Sequence, residues 1–233
     1  MMEFNHKTIF LDIETSGLVK KMAVPGKKPG TTRQEQIPYE THFLEYPHIV
    51  SMAWKIDENE TKEYILNQEG RKIPKEASDI HGITTEIANA SPHFFSDAIL
   101  EFIEDAVGNE ILVGHGIYFD TSIIKANVLR SIVLEAPKRL LVKDAFERIT
   151  EILHKYKRID TMRSTIRMMG KWPKLQELHM KIFRKGFDAH TSKSDVEAVA
   201  RCYEWLLRKK IVPTWEQLKE SAIEKEIKLV DSK

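Results

Sequence analysis

The chain has 233 residues, 42% hydrophobic and 30% charged, which is typical of a soluble globular protein with a sizeable core. A single cysteine, Cys202, excludes an internal disulfide framework, and no apolar run is long enough to span a membrane. The opening MMEFNHK lacks the apolar stretch of a signal peptide, so we expect a cytoplasmic protein that has no membrane partner.

The net charge of +1 conceals a separation of charge along the chain. Residues 18–33 carry five basic groups and no acid, residues 34–136 carry seven basic and eighteen acidic groups, and residues 137–185 carry fourteen basic and five acidic groups. Clustered cations attract phosphate backbones, although a solvated helix face is the more common reason for such a cluster. Charge alone therefore does not identify a nucleic acid as the partner.

The predicted elements begin as a strand meander and continue as an alternation of strands and helices. The predicted strands are Thr8–Asp12, Ile49–Ile56, Thr61–Asn67, Ile111–Gly114 and Arg158–Asp160. Between the first two of them lies an irregular segment at 18–46, which is long for a loop. Helices are predicted at Asp97–Ala106, about Asp120–Arg130, 138–156, Leu175–Phe183 and Asp195–Leu207, and a capping box at Thr214–Gln217 starts a terminal helix. This order predicts an α/β fold with a mixed sheet.

The first strand leads into the octapeptide FLDIETSG, Phe10–Gly17, which carries two acids. Side chains two residues apart on a strand share a face, so Asp12 and Glu14 stand side by side while Leu11 and Ile13 point the other way. Two partly buried carboxylates repel each other, and a divalent metal ion held by their oxygens relieves the repulsion. An exposed edge strand with two solvated acids explains the octapeptide equally well.

Two later segments place further acids where a strand or loop leads into a helix. In VGHGIYFD, Val113–Asp120, a short apolar strand is followed by Asp120 at the start of a helix. In AHTSKSDVEAVA, Ala189–Ala200, Asp195 opens an amphipathic helix five residues after His190, so these two residues should lie close together. Taken alone, each aspartate is more readily explained as a helix N-cap, and His190 as a loop histidine.

Together and in this order, the three segments resemble the exonuclease motifs of the DEDDh family, which includes the proofreading epsilon subunit of bacterial DNA polymerase III, ribonuclease T and oligoribonuclease. IHGIT at Ile80–Thr84, RIDTM at Arg158–Met162 and KLQELHMKIF at Lys174–Phe183 resemble segments that accompany these motifs. The similarity covers roughly Thr8 to Leu207. It implies a ribonuclease H-like fold, with a five-stranded mixed sheet flanked by helices, and metal-dependent 3′→5′ removal of nucleotides.

The resemblance assigns roles to five residues by position. Asp12, Glu14, Asp120 and Asp195 match the four acids, which hold two Mg²⁺ or Mn²⁺ ions, and hard cations of this kind prefer oxygen ligands. His190 matches the histidine that acts as general base by taking a proton from the attacking water.

The resemblance also suggests how the substrate is held. Thr15 and Leu18 would meet the terminal nucleotide, and the backbone near Ile13 would bind its 3′-hydroxyl. Phe119 is a candidate to stack on a base, and His81 is a candidate to face the substrate. A core aromatic at a helix start and a turn histidine explain these last two residues equally well.

The chain departs from the family pattern at two positions: Gly116 stands where many relatives have asparagine, and Ser192 stands where the family often has alanine. We expect an exonuclease domain at 1–210 with the 18–46 segment inserted, and a C-terminal helix at 211–233 that packs on this domain or on a partner. The 18–33 stretch is a candidate clamp on the strand, and a disordered solvated loop is equally compatible with its composition.

The most direct functional hypothesis is a 3′→5′ exonuclease acting on a DNA 3′ end, single-stranded for preference, in proofreading or repair. An RNA-trimming exonuclease is the alternative, because the 2′-hydroxyl contacts that separate the two substrates cannot be placed. A binding module that has lost catalysis would lack at least one acid, and all four are present. A DNA polymerase or replisome subunit is a candidate partner, and the oligomeric state is open.

Overall fold

The computed structural model describes residues 8–28, 30–134, 147–153, 156–214, 216–218 and 220. The strands are β1 (Thr8–Thr15), β2 (Lys21–Pro25), β3 (Thr32–Gln36), β4 (Ile49–Ile56), β5 (Lys62–Ile65), β6 (Ile111–Gly114) and β7 (Lys157–Asp160). The helices are α1 (Tyr39–His42), α2 (Lys75–His81), α3 (Thr85–Ala90), α4 (Phe95–Ala106), α5 (Ile117–Leu134), α6 (147–153), α7 (Thr161–Met169), α8 (Leu175–Phe183) and α9 (Ser192–Arg208). Among these helices, none combines the length and apolar character that crossing a membrane requires.

The central strand of the main sheet is β1. The five strands lie in the order β5–β4–β1–β6–β7, with β1 antiparallel to β4 and parallel to β6. The β4–β5 pair is antiparallel, as the predicted strand meander requires, and the β6–β7 pair is parallel. The predicted mixed five-stranded sheet with flanking helices is therefore confirmed.

Alternation along β1 divides the core into two layers. Ile9, Leu11 and Ile13 are buried against the face covered by α4, α5 and α6. Phe10 is buried on the opposite face, in a cluster that includes residues of α8 and α9. Since side chains alternate along a strand, Asp12 and Glu14 continue the Phe10 face. The sheet thereby presents both acids toward α9, and the predicted opposite orientation of Leu11 and Ile13 is confirmed.

The prediction that 18–46 is irregular is wrong. The segment contains the β2–β3 hairpin, whose register runs from Lys21 opposite Gln36 to Pro25 opposite Thr32, and it also contains α1 and a single 3₁₀ turn at Phe43–Glu45. The side chains of both strands are exposed except at Val24, which is half-buried. A hairpin without a buried face carries no alternation of apolar and polar residues, so the usual strand signal is missing.

Several helix boundaries differ from the predictions. Helices α2, α3 and α7 were not predicted; the first two have seven and six residues, too few to display a helical period. Within the predicted 138–156 helix, residues 147–153 are helical, and 138–146 and 154–155 lie outside the described residues. The capping box is confirmed, since the Thr214 N–H donates to Gln217 Oε1 at 2.9 Å and the Gln217 N–H to Thr214 Oγ1 at 3.4 Å. Residues 216–218 and 220 of that helix are helical, and its other residues lie outside the described residues.

Candidate active site

Three acids converge between β1 and α9. Asp12 and Glu14 stand on β1, Asp195 belongs to the first turn of α9, and carboxylate oxygens of all three lie within 4.8 Å of one another. Carboxylates this close repel strongly unless a cation lies among them. The oxygen-only donor set is the kind that a hard divalent cation prefers, so the cluster fits a metal ion of that class.

Hydrogen bonds connect the first turn of α9 to β4 and β5, and the one between Ser192 and Ser51 is buried. Ser192 Oγ lies 2.6 Å from Ser51 Oγ on β4 and donates to Glu63 Oε1 on β5 at 3.1 Å. The same Glu63 oxygen accepts from the Lys193 N–H at 3.0 Å. Ser192 is fully buried, so the departure from alanine at this position adds contacts that fix the helix carrying Asp195.

Ser192→Ala should lower the free energy of unfolding by about 1–3 kcal/mol, because the buried Ser51 hydroxyl loses its partner. Urea unfolding measures the change. Lys193→Ala truncates an exposed side chain in the same helical turn and serves as the matched control, with an expected change within about 0.5 kcal/mol. Equal effects of the two substitutions would contradict a specific role for the Ser192 contacts.

The position of Asp120 depends on the close approach of the start of α5 to β1. A Cβ on Gly114, the last residue of β6, would lie 2.7 Å from Ile117 Cδ1 and 3.1 Å from the Leu11 carbonyl oxygen, so glycine lets α5 begin directly against β1. Asp120 lies in the first turn of α5 and is 6% exposed. Its Oδ2 atom has no hydrogen-bond partner among the described residues. A buried carboxylate oxygen left in this state suits a ligand from outside the chain.

The N-cap explanations of two aspartates are wrong. Helix α5 begins three residues before Asp120, and α9 begins three residues before Asp195. The N-cap of α9 is Thr191, whose side chain accepts from the Ser194 N–H. Neither aspartate is used at a helix end in the way an N-cap would be, and both carboxylates remain available to the acid cluster.

Burial raises the pKa values of all four acids, and repulsion by neighbouring acids adds to the rise for Asp12, Glu14 and Asp120. For Asp12 the pKa lies well above its ordinary value, first through burial and then through the charges of Asp120, Asp195, Glu14 and Glu63. Burial, with Asp160 and Glu14, likewise raises the pKa of Asp120. The pKa of Glu14 rises to about 7 and that of Asp195 to about 6, again chiefly through burial. A bound cation would remove this excess of negative charge.

These shifts set a pH dependence for the metal-free protein. Because the folded state holds protons on Glu14 between its ordinary value of 4.5 and about 7, stability should fall as the pH rises through that window. In EDTA, we expect a lower Tm at pH 8 than at pH 5, and Glu14→Gln should flatten the slope. Mg²⁺ at about 100 times its Kd should add about 2.7 kcal/mol, or about 5–10 °C, at the higher pH. A Tm independent of both pH and Mg²⁺ would contradict the assignment of this acid cluster as a cation site.

His190 lies beside Asp195, as the short spacing predicts. Its backbone N–H donates to Asp195 Oδ2 at 3.0 Å, and its φ of 75° turns the chain sharply before α9. The imidazole Nε2 lies 2.8 Å from Gln176 Nε2, so the Gln176 amide donates and Nε2 is the unprotonated ring nitrogen. The exposed ring is thus held with its acceptor nitrogen toward the cleft side of α8.

An open cleft of about 470 Å³ joins the histidine to the acids. It is lined by Asp12, Asp79, Ile80, His115, Lys174, Leu175, Gln176, His190 and Asp195. Two predicted site acids and the predicted histidine therefore share one solvent-accessible opening, with a lysine at its edge.

The predicted substrate residues on and after β1 have different surroundings. Ile13 is buried in the core and offers only its backbone, as the prediction requires. The Thr15 hydroxyl donates to the Gly17 carbonyl at 2.7 Å within the turn that follows the strand. Leu18 is 85% exposed, which is high for leucine in a folded chain. Contact of these residues with a nucleotide stays a prediction.

His81 and Phe119 each combine features of a structural residue with a position that is compatible with substrate contact. His81 is a turn histidine in that its Nδ1 accepts from the Ile83 N–H at 3.1 Å, and it is only 6% exposed. Burial lowers its pKa, the Thr15 backbone raises it, and His190 lowers it, so the ring lies near the site. Phe119 is half-buried and packs against the core on the α4 side. The substrate roles of both residues stay predictions.

Two residues at the site were not singled out from the sequence. Asp160 ends β7 and caps α7, and its Oδ1 accepts from the Met162 and Gly116 N–H groups at 3.0 Å each. His115 bridges Thr161 Oγ1 at 3.0 Å and the Pro173 carbonyl at 2.9 Å. The signal for Asp160 is its place at the end of a short strand before a helix. His115 carries no comparable signal.

The departure at Gly116 is explained by its backbone. Its φ is 91°, in the left-handed region that glycine adopts freely and asparagine tolerates better than most residues. Its N–H donates to Asp160, so this position connects β7 to the start of α5. The backbone role is therefore compatible with either residue.

Comparison with known proteins gives one family and many structural likenesses. A model of the exonuclease family (RNase_T) matches residues 9–203. No curated protein sequence matches the chain.

Solved exonucleases share the fold at low identity. E. coli exonuclease I in complex with a dT13 oligonucleotide is 15% identical with a TM-score of 0.58, over 87% of this chain and 41% of that one. Exonuclease I from Methylocaldum szegediense is 15% identical with a TM-score of 0.56, over 86% and 40%. A 3′-exonuclease solved for its 3′-end-specific recognition of a histone mRNA stem-loop is 13% identical with a TM-score of 0.57, over 89% and 84%. The expected ribonuclease H-like fold is confirmed, and the chain spans about 40% of either exonuclease I.

Proposed function

The chain belongs to the exonuclease (RNase_T) family, and we propose on that premise that it removes nucleotides from DNA 3′ ends by metal-dependent hydrolysis. The observation that carries the proposal is the convergence of Asp12, Glu14 and Asp195 within 4.8 Å at an open cleft. The buried Asp120 and the neighbouring His190 complete the DEDDh set.

The acids are proposed as the ligands of two divalent cations, Mg²⁺ or Mn²⁺. Asp12, Glu14 and Asp195 would hold one ion, and Asp12 with Asp120 would hold the second. Such ions, when bound, neutralise charge on the phosphodiester and lower the pKa of the attacking water. The raised pKa values and the unpartnered Asp120 oxygen support this assignment, because both report negative charge without a counterion.

His190 is proposed as the general base. Its Nε2 is an acceptor toward Gln176, so the same nitrogen can exchange the amide for the attacking water and take its proton. The hydrogen bond from its backbone to Asp195 ties the histidine to the acid cluster. Proton acceptor and acids would thereby keep one relative position through turnover.

The preference for a 3′ end is assigned to the residues around the end of β1. The backbone near Ile13 would bind the 3′-hydroxyl, and Thr15, Leu18, His81 and Phe119 would contact the last nucleotides. A proofreading or repair role with a polymerase partner follows from the same resemblance and is part of the proposal.

Matched DNA and RNA oligonucleotides of one sequence, each labelled at the 3′-terminal nucleotide, test the substrate class. With Mg²⁺ present, we expect release of a labelled mononucleotide from single-stranded DNA at a higher kcat/KM than from RNA. Faster release from RNA would favour the RNA-trimming alternative. Absence of release from both would favour a binding module that has lost catalysis.

A further inference from the structure

An exposed stack of aromatic rings and guanidinium groups lies beside the cleft. Tyr118, in the first turn of α5, has the guanidinium carbons of Arg158 and Arg163 at 4.7 and 4.3 Å from its ring centroid. Arg163 also lies 5.9 Å from the ring of Trp172, so one guanidinium contacts both rings. We name these four residues the aromatic–arginine patch.

Both rings of the aromatic–arginine patch keep a solvent-facing surface. Tyr118 is 40% exposed, and Trp172 is 57% exposed. A tryptophan that only packs within a core would be far more buried. Each ring therefore keeps surface that a ligand from solvent can reach, with Trp172 the more accessible of the two, while guanidinium groups lie against the rings.

Further cations extend the patch. Arg167 follows Arg163 by one helical turn and lies on the same face of α7, and Lys171 and Lys174 follow in the loop before α8. Two acids lie among them: Glu177 pairs with Lys171 at 2.6 Å, and Asp160, which is 5% exposed, lies 3.6 Å from Arg163 Nε. The surface stays predominantly basic, which accounts for part of the positive stretch at 137–185.

The patch is continuous with the cleft. Trp172 is followed by Pro173, whose carbonyl contacts His115, and then by Lys174; His115 and Lys174 both line the cleft. Tyr118 stands two residues before Asp120 on α5. A strand whose 3′ end lay at the acids could thus leave the cleft directly across the two rings.

We propose that the aromatic–arginine patch binds the unpaired nucleotides that precede the 3′ end. Bases stack on Trp172 and Tyr118, and the arginine and lysine groups contact the phosphates, the combination by which proteins hold single strands without reading their sequence. A protein partner is disfavoured, because lysines extend the patch and it opens onto the acid cleft, whereas protein interfaces are depleted of lysine and of charged residues at their core. The inference rests on the proposed function, since it extends the substrate path of that site.

Binding and hydrolysis are measured separately. Fluorescence anisotropy of a labelled single strand of about 12 nucleotides, within the usual range of site sizes, uses Ca²⁺ and phosphorothioate linkages at the 3′ end so that the strand stays intact. Trp172→Ala should weaken binding about 5- to 150-fold, as expected for the loss of one stacked base. Trp172→Phe should restore much of the affinity, and Arg163→Ala should reduce the salt slope by about one.

The controls separate the patch from the fold and from the chemistry. Phe94→Ala removes another ring that is 40% exposed, and Arg208→Ala removes a cation of similar exposure on α9; neither should change affinity. Hydrolysis of a dinucleotide, too short to reach the patch, should be unchanged in Trp172→Ala. The proposal would be overturned if Trp172→Ala and Arg163→Ala bound the long strand as tightly as the native protein. It would also be overturned if Trp172→Ala lost as much dinucleotide hydrolysis as long-strand affinity. If the native protein hydrolyses neither substrate, the proposed function fails while the anisotropy result still decides the patch.

Discussion

Replacing Asp12 by asparagine is expected to reduce the rate of mononucleotide release at least about 10³-fold. The reason is that paired metal ions contribute several kcal/mol to the stabilisation of the transition state for phosphodiester hydrolysis. Asp12 is the acid whose pKa is raised by the charges of Asp120, Asp195 and Glu14 together, which makes it the electrostatic centre of the site. Asparagine keeps the shape and removes the charge. Steady-state kinetics on a 3′-labelled strand measures the loss.

Although Asp12→Asn should lose activity, we do not expect it to lose stability. Removal of a buried, repelled charge should leave the metal-free Asp12→Asn protein at least as stable as the native protein at pH 8, because the other acids lose a like-charged neighbour. Asp79→Asn is the matched control: it lines the same cleft, is exposed, and pairs with Lys75 at 2.6 Å. Near-native turnover of Asp12→Asn, or an equal loss in Asp79→Asn, would contradict the assigned role.

The second large effect concerns the proposed base. His190→Ala should lower kcat about 10²- to 10⁴-fold, the range for a lost general base, while Mn²⁺ affinity and strand affinity stay near native values. The acids come from β1, α5 and α9, and the imidazole is not among the three groups that cluster within 4.8 Å. Calorimetric titration with Mn²⁺ and the anisotropy assay report the two affinities.

His93→Ala provides the comparison for that substitution. His93 is exposed and contacts the ring of Tyr64 at 4.7 Å, away from the residues that line the cleft. Its removal should leave kcat unchanged. If His190→Ala turns over normally, the histidine is not the base; if it loses Mn²⁺ affinity as well, it acts through the position of Asp195.

The acid cluster was largely predictable because its signals are local. The period of two along β1 predicts that Asp12 and Glu14 share a face, and the structure confirms it. A five-residue separation predicts that His190 lies near Asp195, which the 3.0 Å hydrogen bond confirms. The ends of β4, β6 and α8 also agree with the predictions, since each is bounded by a clear change in polarity.

Other features depend on contacts between distant segments, which a local pattern does not encode. The Ser192 hydroxyl looks incidental in the sequence, yet it bonds to Ser51, 141 residues earlier. Asp160 reads as a strand terminus, and its bond to the Gly116 N–H spans 44 residues. The β2–β3 hairpin escaped prediction for a different reason: it lies on the surface, where no buried face imposes a pattern.

The most direct test of the metal-dependent 3′→5′ exonuclease is the length distribution of products from a 5′-labelled single DNA strand incubated with Mg²⁺. We expect a ladder that shortens by single nucleotides from the unlabelled 3′ end, stops on addition of EDTA and resumes when excess Mg²⁺ is restored. Fragments cut at internal positions, label released first as a mononucleotide, or an unchanged ladder in EDTA would contradict the proposal.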